Sequence, residues 1–221
     1  MGGFLNSSLN NSFRQGLADI IKHALVKSCE FMEKHCLAQG IKIQNNENAI
    51  RNYLVENYLD NDKMQSLIGL SEIHLRFCPE MLENYNVQKN TYLGRTDIRV
   101  ISEDTLRNRN DYFIIECKRI DGTHELCKKY IEEGICRFTG NTPKYLSYNG
   151  TNFMLGFVVS NIDITVTLAT ISSLHIKTLG SLVEKNLTAL VEKTSYTLCE
   201  STYANALILN HIFFNMSAII I

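Results

Sequence analysis

Apolar residues recur at helical spacing from Phe13 to about Gln39, where Leu17, Ile20, Ile21, Ala24, Leu25, Cys29 and Met32 form one stripe and Gly40 gives a stop signal. Residues 1–12, MGGFLNSSLNNS, are polar and Asn/Ser-rich and are expected to be loose. Ile50, Leu54 and Tyr58 make a second stripe and predict a helix over about 46–59. Glu47 lies at the edge of that stripe. It reads either as a first-turn acid favoured by the helix dipole or as a carboxylate turned toward a site. Residues 60–91 are less regular, with a short strand expected over 72–77 and closed by Pro79. Two strand-like runs follow, Arg95–Ile101 and Tyr112–Ile120, joined by a charged, Asn-rich segment that suits a hairpin. Asp121-Gly122-Thr123 supplies turn and cap chemistry for a helix over about 124–138, with Cys127, Ile131, Ile135 and Phe138 as its buried stripe. The rest of the pattern predicts a central strand over 152–160, a helix over 169–190, an edge strand over 194–199 and a final strand over 206–221. No repeat or linker divides the chain, so residues 13–221 are expected to form one α/β domain.

Period-two alternation places Glu116 and Lys118 on one face of the second strand, with Phe113, Ile115 and Cys117 on the other. In the first strand Asp97 and Arg99 share a face opposite Ile98 and Val100. If the strands pair, Asp97, Glu116 and Lys118 converge beside an apolar platform, where unpaired charge is costly. Hard divalent cations take oxygen ligands, and magnesium is commonly held by one or two carboxylates with substrate phosphate and water. Asp97 and Glu116 meet that requirement, and the Cys117 backbone carbonyl adds a third oxygen. Glu116 is the only acid in the chain with a lysine two positions on. On the helix after it, Tyr130, Glu133, Gly134 and Arg137 share a face, Glu133 and Arg137 are spaced to pair, and Gly134 implies a close neighbour.

Net charge is −1, so nucleic-acid binding would need a local patch, and ten Lys and Arg residues fall between Arg95 and Lys144. Seven scattered cysteines without zinc spacing suit reduced thiols in a cytoplasmic protein. No basic start precedes an apolar core at the N-terminus, and Asn205, Asn210, His211 and Asn215 interrupt the apolar tail, so neither a signal peptide nor a membrane span is expected. No G-x-S-x-G nucleophile elbow or Gly-rich phosphate loop occurs.

Gly94-Arg95-Thr96-Asp97-Ile98 followed by Ile114-Ile115-Glu116-Cys117-Lys118 resembles the signature of the PD-(D/E)xK, or restriction-endonuclease-like, nuclease superfamily. Thr96 stands where the family name has proline. The resemblance covers about residues 47–160. It implies a three-layer αβββαβ core with a mixed central sheet flanked by helices, here with an extra N-terminal helix. It implies Asp97 as central metal ligand, Glu116 as second ligand, Lys118 as catalytic lysine and Glu47 as the glutamate on the preceding helix. Glu56, Glu72, Glu80 and Glu83 compete for that last role. Tyr130, Glu133, Arg137 and Arg95 are the implied supporting or phosphate-binding residues. The function implied is Mg²⁺-dependent hydrolysis of DNA, with Mn²⁺ as a substitute. A defence or mobile-element system is the implied setting, with other subunits or a homodimer left open. The alternatives are a nuclease-derived module that binds nucleic acid without cutting it, and an interaction protein in which Glu116 and Lys118 are a surface ion pair. Loss of either Asp97 or Glu116 is expected to leave stability unchanged or slightly raised, because repulsion between carboxylates would go.

Overall fold

The structure, a computed structural model, describes residues 7–221 apart from 104, 106, 107 and 141. Helix α1 (Ser7–Gln39) begins inside the segment expected to be loose, so Ser7–Ser12 is helical backbone, and residues 1–6 lie outside the described residues. Asn46 caps α2 (Glu47–Leu54) by accepting from Ala49 N at 3.1 Å, which sets Glu47 at its first position. A π-helical turn, Val55–Leu59, and α3 (Asp62–Leu67) follow.

A seven-stranded mixed sheet forms the middle layer, in the order β1 (Arg76–Pro79), β4 (Ile98–Ile101), β5 (Tyr112–Ile120), β6 (Thr151–Val158), β9 (Leu207–Asn215), β8 (Tyr196–Tyr203), β7 (Val183–Glu192). The β5–β6 and β6–β9 pairs are parallel and the others antiparallel. A separate hairpin, β2 (Leu82–Asn86) with β3 (Thr91–Arg95), stands beside it. Leu25, Ile50, Leu54, Ile115, Cys117, Phe153 and Phe214 share one core beneath α1 and α2. The opposite core holds Ile114, Ile131, Met154, Ile171 and Phe213 beneath α4 (His124–Lys129) and α5 (Ile164–Leu179). The result is an α/β arrangement of a mixed sheet flanked by helices, as expected.

Several boundaries differ from the sequence pattern. The run Arg95–Ile101 is divided: Arg95 ends β3 in the small hairpin and Ile98 starts β4 in the main sheet, with Thr96 and Asp97 between. The strand expected over 72–77 is β1, shifted to Arg76–Pro79. The helix expected over 169–190 starts earlier, where Asp163 accepts from Thr165 N and Val166 N, and stops at Gly180, whose φ of +51° ends it. The residues after Gly180 turn into β7, so the helical spacing of Leu179, Leu182 and Val183 ran across a chain reversal. The segment expected as an edge strand, 194–199, overlaps the start of β8, an inner strand between β7 and β9. Among the described residues no helix is long and apolar enough to cross a membrane.

Candidate metal centre and basic cleft

Strand β5 outruns its neighbour. Pairing with β4 ends at Ile98 opposite Ile115, while pairing with β6 continues to Ile120. Beyond Ile115 the amides on the β4 side of β5 need other acceptors, since a buried N–H without one is costly. Two carboxylates supply them: Asp97 Oδ2 accepts from Cys117 N at 2.8 Å, and Glu47 Oε2 accepts from Arg119 N at 3.3 Å. The acids are therefore drawn to the same stretch of strand from which Glu116 and Lys118 project.

The Lys118 ammonium is the point on which these oxygens converge. It lies 2.8 Å from Glu116 Oε1, 2.8 Å from the Cys117 carbonyl, 2.9 Å from Glu47 Oε1 and 4.0 Å from Asp97 Oδ2. Asp97 Oδ1 accepts from Arg51 at 2.8 Å, and the same guanidinium donates to Glu80 Oε1 at 2.8 Å. Arg51 is buried, with a side chain only 3% exposed. Glu116 is held from its other side by the Tyr145 hydroxyl, 2.6 Å from Oε2, and by Arg137 Nε, 3.0 Å from Oε1. Burial, then the charge of Asp97, pushes the Glu116 carboxyl up to about 7 despite Lys118 and Arg137. Burial works to lower the Lys118 pKa, but Glu116, Glu47 and Asp97 outweigh it and the ammonium is held above its ordinary value.

Asp97, Glu116, Lys118, Glu47 and the Cys117 carbonyl, five groups singled out in the sequence, thus meet at one place. Arg137 joins them through Glu116, and Arg95 reaches the rim, 3.4 Å from Glu80 Oε2. Tyr130 does not join. It is fully buried, with its hydroxyl 2.8 Å from His211 Nδ1 and its ring against Phe213. Glu133 stays exposed on the cleft wall, and Arg137 donates to its backbone carbonyl at 2.6 Å rather than to its carboxylate. The separation of Tyr130 from Arg137 has a local cause. The helix after β5 widens into a π turn at Tyr130–Gly134 and tightens at Ile135–Arg137, so a regular 3.6-residue face does not survive. Gly134 has its close neighbour: a Cβ there would stand 2.5 Å from Met154 Cε and 3.4 Å from Lys118 Cγ.

No protein-family model, curated protein or solved structure matches the chain. Arg51 and Tyr145 were not singled out in the sequence, and Glu80 was one competitor among several. Arg51 carries one weak signal, an arginine one turn from Glu47 beside the apolar stripe, while Tyr145 lies in a loop with no pattern at all.

Among the described residues no three His, Cys, Asp or Glu side chains close on one another as a ready metal cage. The donor set nevertheless fits a hard divalent cation, because the lysine ammonium is itself a cation ringed by carboxylate and carbonyl oxygens. Asp97 spends one donor contact on each oxygen, which leaves lone pairs on both. Glu47, Asn48, Arg51, Glu80, Arg95, Asp97, Lys118 and Arg137 line a cleft around this point. It continues on one side past Arg119, Lys129 and Glu133, and on the other past Tyr92 and Lys144.

Proposed function

We propose that the chain is a Mg²⁺-dependent nuclease that hydrolyses phosphodiester bonds of DNA on a PD-(D/E)xK-like core. The observation that carries this reading is the convergence of Glu47, Asp97, Glu116 and the Cys117 carbonyl on the Lys118 ammonium along the stretch of β5 that β4 leaves unpaired. Element order adds support: α2, then the antiparallel set β1, β4 and β5, then α4, then β6 parallel to β5. The β2–β3 hairpin is an insertion within that series.

Asp97, Glu116 and the Cys117 carbonyl would hold the magnesium ion, with Glu47 beside them. Bound there, the ion supplies charge stabilisation at the phosphate and a more acidic water. Lys118 is already charged and within reach of every ligand, so on release from the carboxylates it balances charge on the phosphate. Arg137 and Arg95 present further positive charge to the backbone of the substrate, and Tyr145 orients Glu116. Mn²⁺, which accepts similar oxygen donors, should substitute.

A second reading, a nucleic-acid-binding module that no longer cuts, is favoured by one observation. Every carboxylate oxygen of Asp97 and Glu116 already has an internal partner. Incubating the protein with supercoiled, linear, single-stranded and branched DNA, each with Mg²⁺ and with EDTA, separates the two. The nuclease reading expects cutting only with the metal, and a loss of about a hundredfold or more in Asp97→Asn and Glu116→Gln. Wild-type cutting by both variants overturns it. Salt-sensitive binding with no cutting under Mg²⁺ or Mn²⁺ selects the second reading.

A further inference from the structure

The central cleft does not end at Arg95 and Arg137. Both also border an open groove that runs along the β2–β3 hairpin, where Leu82, Tyr92, Leu93 and Lys144 are among the lining residues. Tyr92 is 46% exposed and stands beside the equally open Tyr85, with ring centroids 5.1 Å apart. An exposed aromatic ring at a basic groove on a chain of near-zero net charge is a local feature, not a consequence of composition.

The hairpin that carries these rings is anchored. Buried Glu83 takes the Tyr112 hydroxyl at 2.7 Å and Arg99 at 2.6 Å, which ties β2 to β4 and β5. Asn84 Nδ2 donates to the Pro143 carbonyl at 2.9 Å. Gly94 lies so close to the loop bearing Lys144 that a Cβ would stand 3.0 Å from the Lys144 carbonyl oxygen and 3.0 Å from Tyr145 Cε1. Tyr92 and Lys144 are thus held on opposite parts of one preformed wall, continuous with the carboxylate centre.

We infer that this groove takes an unpaired DNA strand, with a base stacked on Tyr92 and its phosphates met by Arg95 and Lys144. The inference rests on the nuclease reading of the central site and names the substrate class that site receives. Its physical basis is that stacking needs a bare base face, which a duplex covers with its neighbours and a single strand offers at every nucleotide. Charge along the same groove follows the backbone without reading sequence. Leu82 and Leu93 give apolar contact where a purely electrostatic track for a duplex would need none.

End-labelled single-stranded and duplex oligonucleotides titrated by fluorescence anisotropy in EDTA test this without cleavage. Single strands should bind more tightly. Tyr92→Ala should weaken single-strand binding about tenfold or more and leave duplex binding unchanged, while Tyr92→Phe, which keeps the ring, should restore it. Tighter binding of duplex, no binding of single strands, or wild-type affinity in Tyr92→Ala overturns the proposal. Should Tyr92→Ala fail to fold, Lys144→Ala carries the test: its log affinity should fall less steeply with log salt, by about one in slope. An unchanged slope then overturns the proposal. Tyr92-dependent binding of single strands with no cutting under Mg²⁺ or Mn²⁺ removes the nuclease reading and leaves this one standing. Cutting of single-stranded DNA under Mg²⁺ at equal rates by wild type and Tyr92→Ala does the reverse.

Discussion

Asp97 and Glu116, a pair of equal importance in the sequence pattern, differ in what holds them. Asp97 is the counter-ion of Arg51, a buried guanidinium, and it also caps the Cys117 amide. Removing Asp97 leaves a buried charge short of a partner, so the expectation of unchanged or raised stability is reversed for this residue. For Glu116 the expectation keeps its sign. Its carboxyl is pushed up to about 7 from an ordinary 4.5, so the folded state holds that proton more tightly than the unfolded chain. Its contribution to stability therefore falls as pH rises from 4.5 to about 7 and is level above that. Glu116→Gln, an uncharged mimic, should gain stability over wild type across that window, by up to about 3 kcal/mol in metal-free buffer. Urea unfolding of both proteins at either end of the window measures the difference, and a pH-independent difference would contradict it. The shared face of Glu116 and Lys118 was legible because alternation along a strand fixes which neighbours point the same way, whereas Asp97 joins them from the break between β3 and β4. Arg51 was not, because nothing local says that a helix arginine will meet an acid far along the chain.

Among the elements, β5 decides where the site forms, since its last residues lack a β4 neighbour and acids fill the gap. The apolar run 152–160 was readable as a central strand, and β6 is flanked by β5 and β9 on parallel register. Gly156 in that strand faces Phe213 across the β6–β9 pair, and a Cβ at Gly156 would stand 2.6 Å from Phe213 Cδ1. The ring is buried and packs on Tyr130, so a methyl group at Gly156 would have to push it aside. Gly156→Ala should cost about 1–3 kcal/mol by overpacking. A fall in urea midpoint at constant slope would show it; an unchanged midpoint would mean that the sheet relaxes around the methyl group. The misread helix over 169–190 shows the opposite case. Its apolar spacing suited a helix as well as a strand, and Gly180 was the only local sign of a break.

Across the whole molecule, a buried polar relay joins helices and strands on the face opposite α1. Asn186 Oδ1 accepts from Leu187 N, which fixes it as an acceptor for His175 Nδ1 at 2.7 Å. His175 Nε2 then accepts from Tyr203, whose oxygen accepts from Ser201, whose oxygen accepts from His211 Nε2. His211 Nδ1 is left to accept from Tyr130 at 2.8 Å. Each histidine is thereby assigned one neutral tautomer. Burial pushes His211 down to about 3, with His175 adding to the effect. A histidine with a lowered pKa contributes stability above its ordinary 6.5 that is lost as pH falls toward 3. Wild type should lose on the order of 3–5 kcal/mol through this group on acidification, and His211→Gln should show a correspondingly flatter decline. Equal slopes in chemical denaturation of the two proteins would refute the assignment. The relay also explains Tyr130, which serves the core rather than the cleft.

Local chemistry in the chain was enough to specify an α/β domain, most of its strands, the apolar platform and the triad Asp97, Glu116 and Lys118. Those follow from periodicity and from the cost of burying charge, both of which act over a few residues. The partners of the triad depended on folding. Arg51, Glu80 and Tyr145 reach it because a short strand leaves part of β5 bare and because a helix, a turn and a loop from distant parts of the chain close over that gap. The loss of Tyr130 to the core has the same origin, for a π turn and the pull of His211 are set by packing that spacing along one helix does not encode.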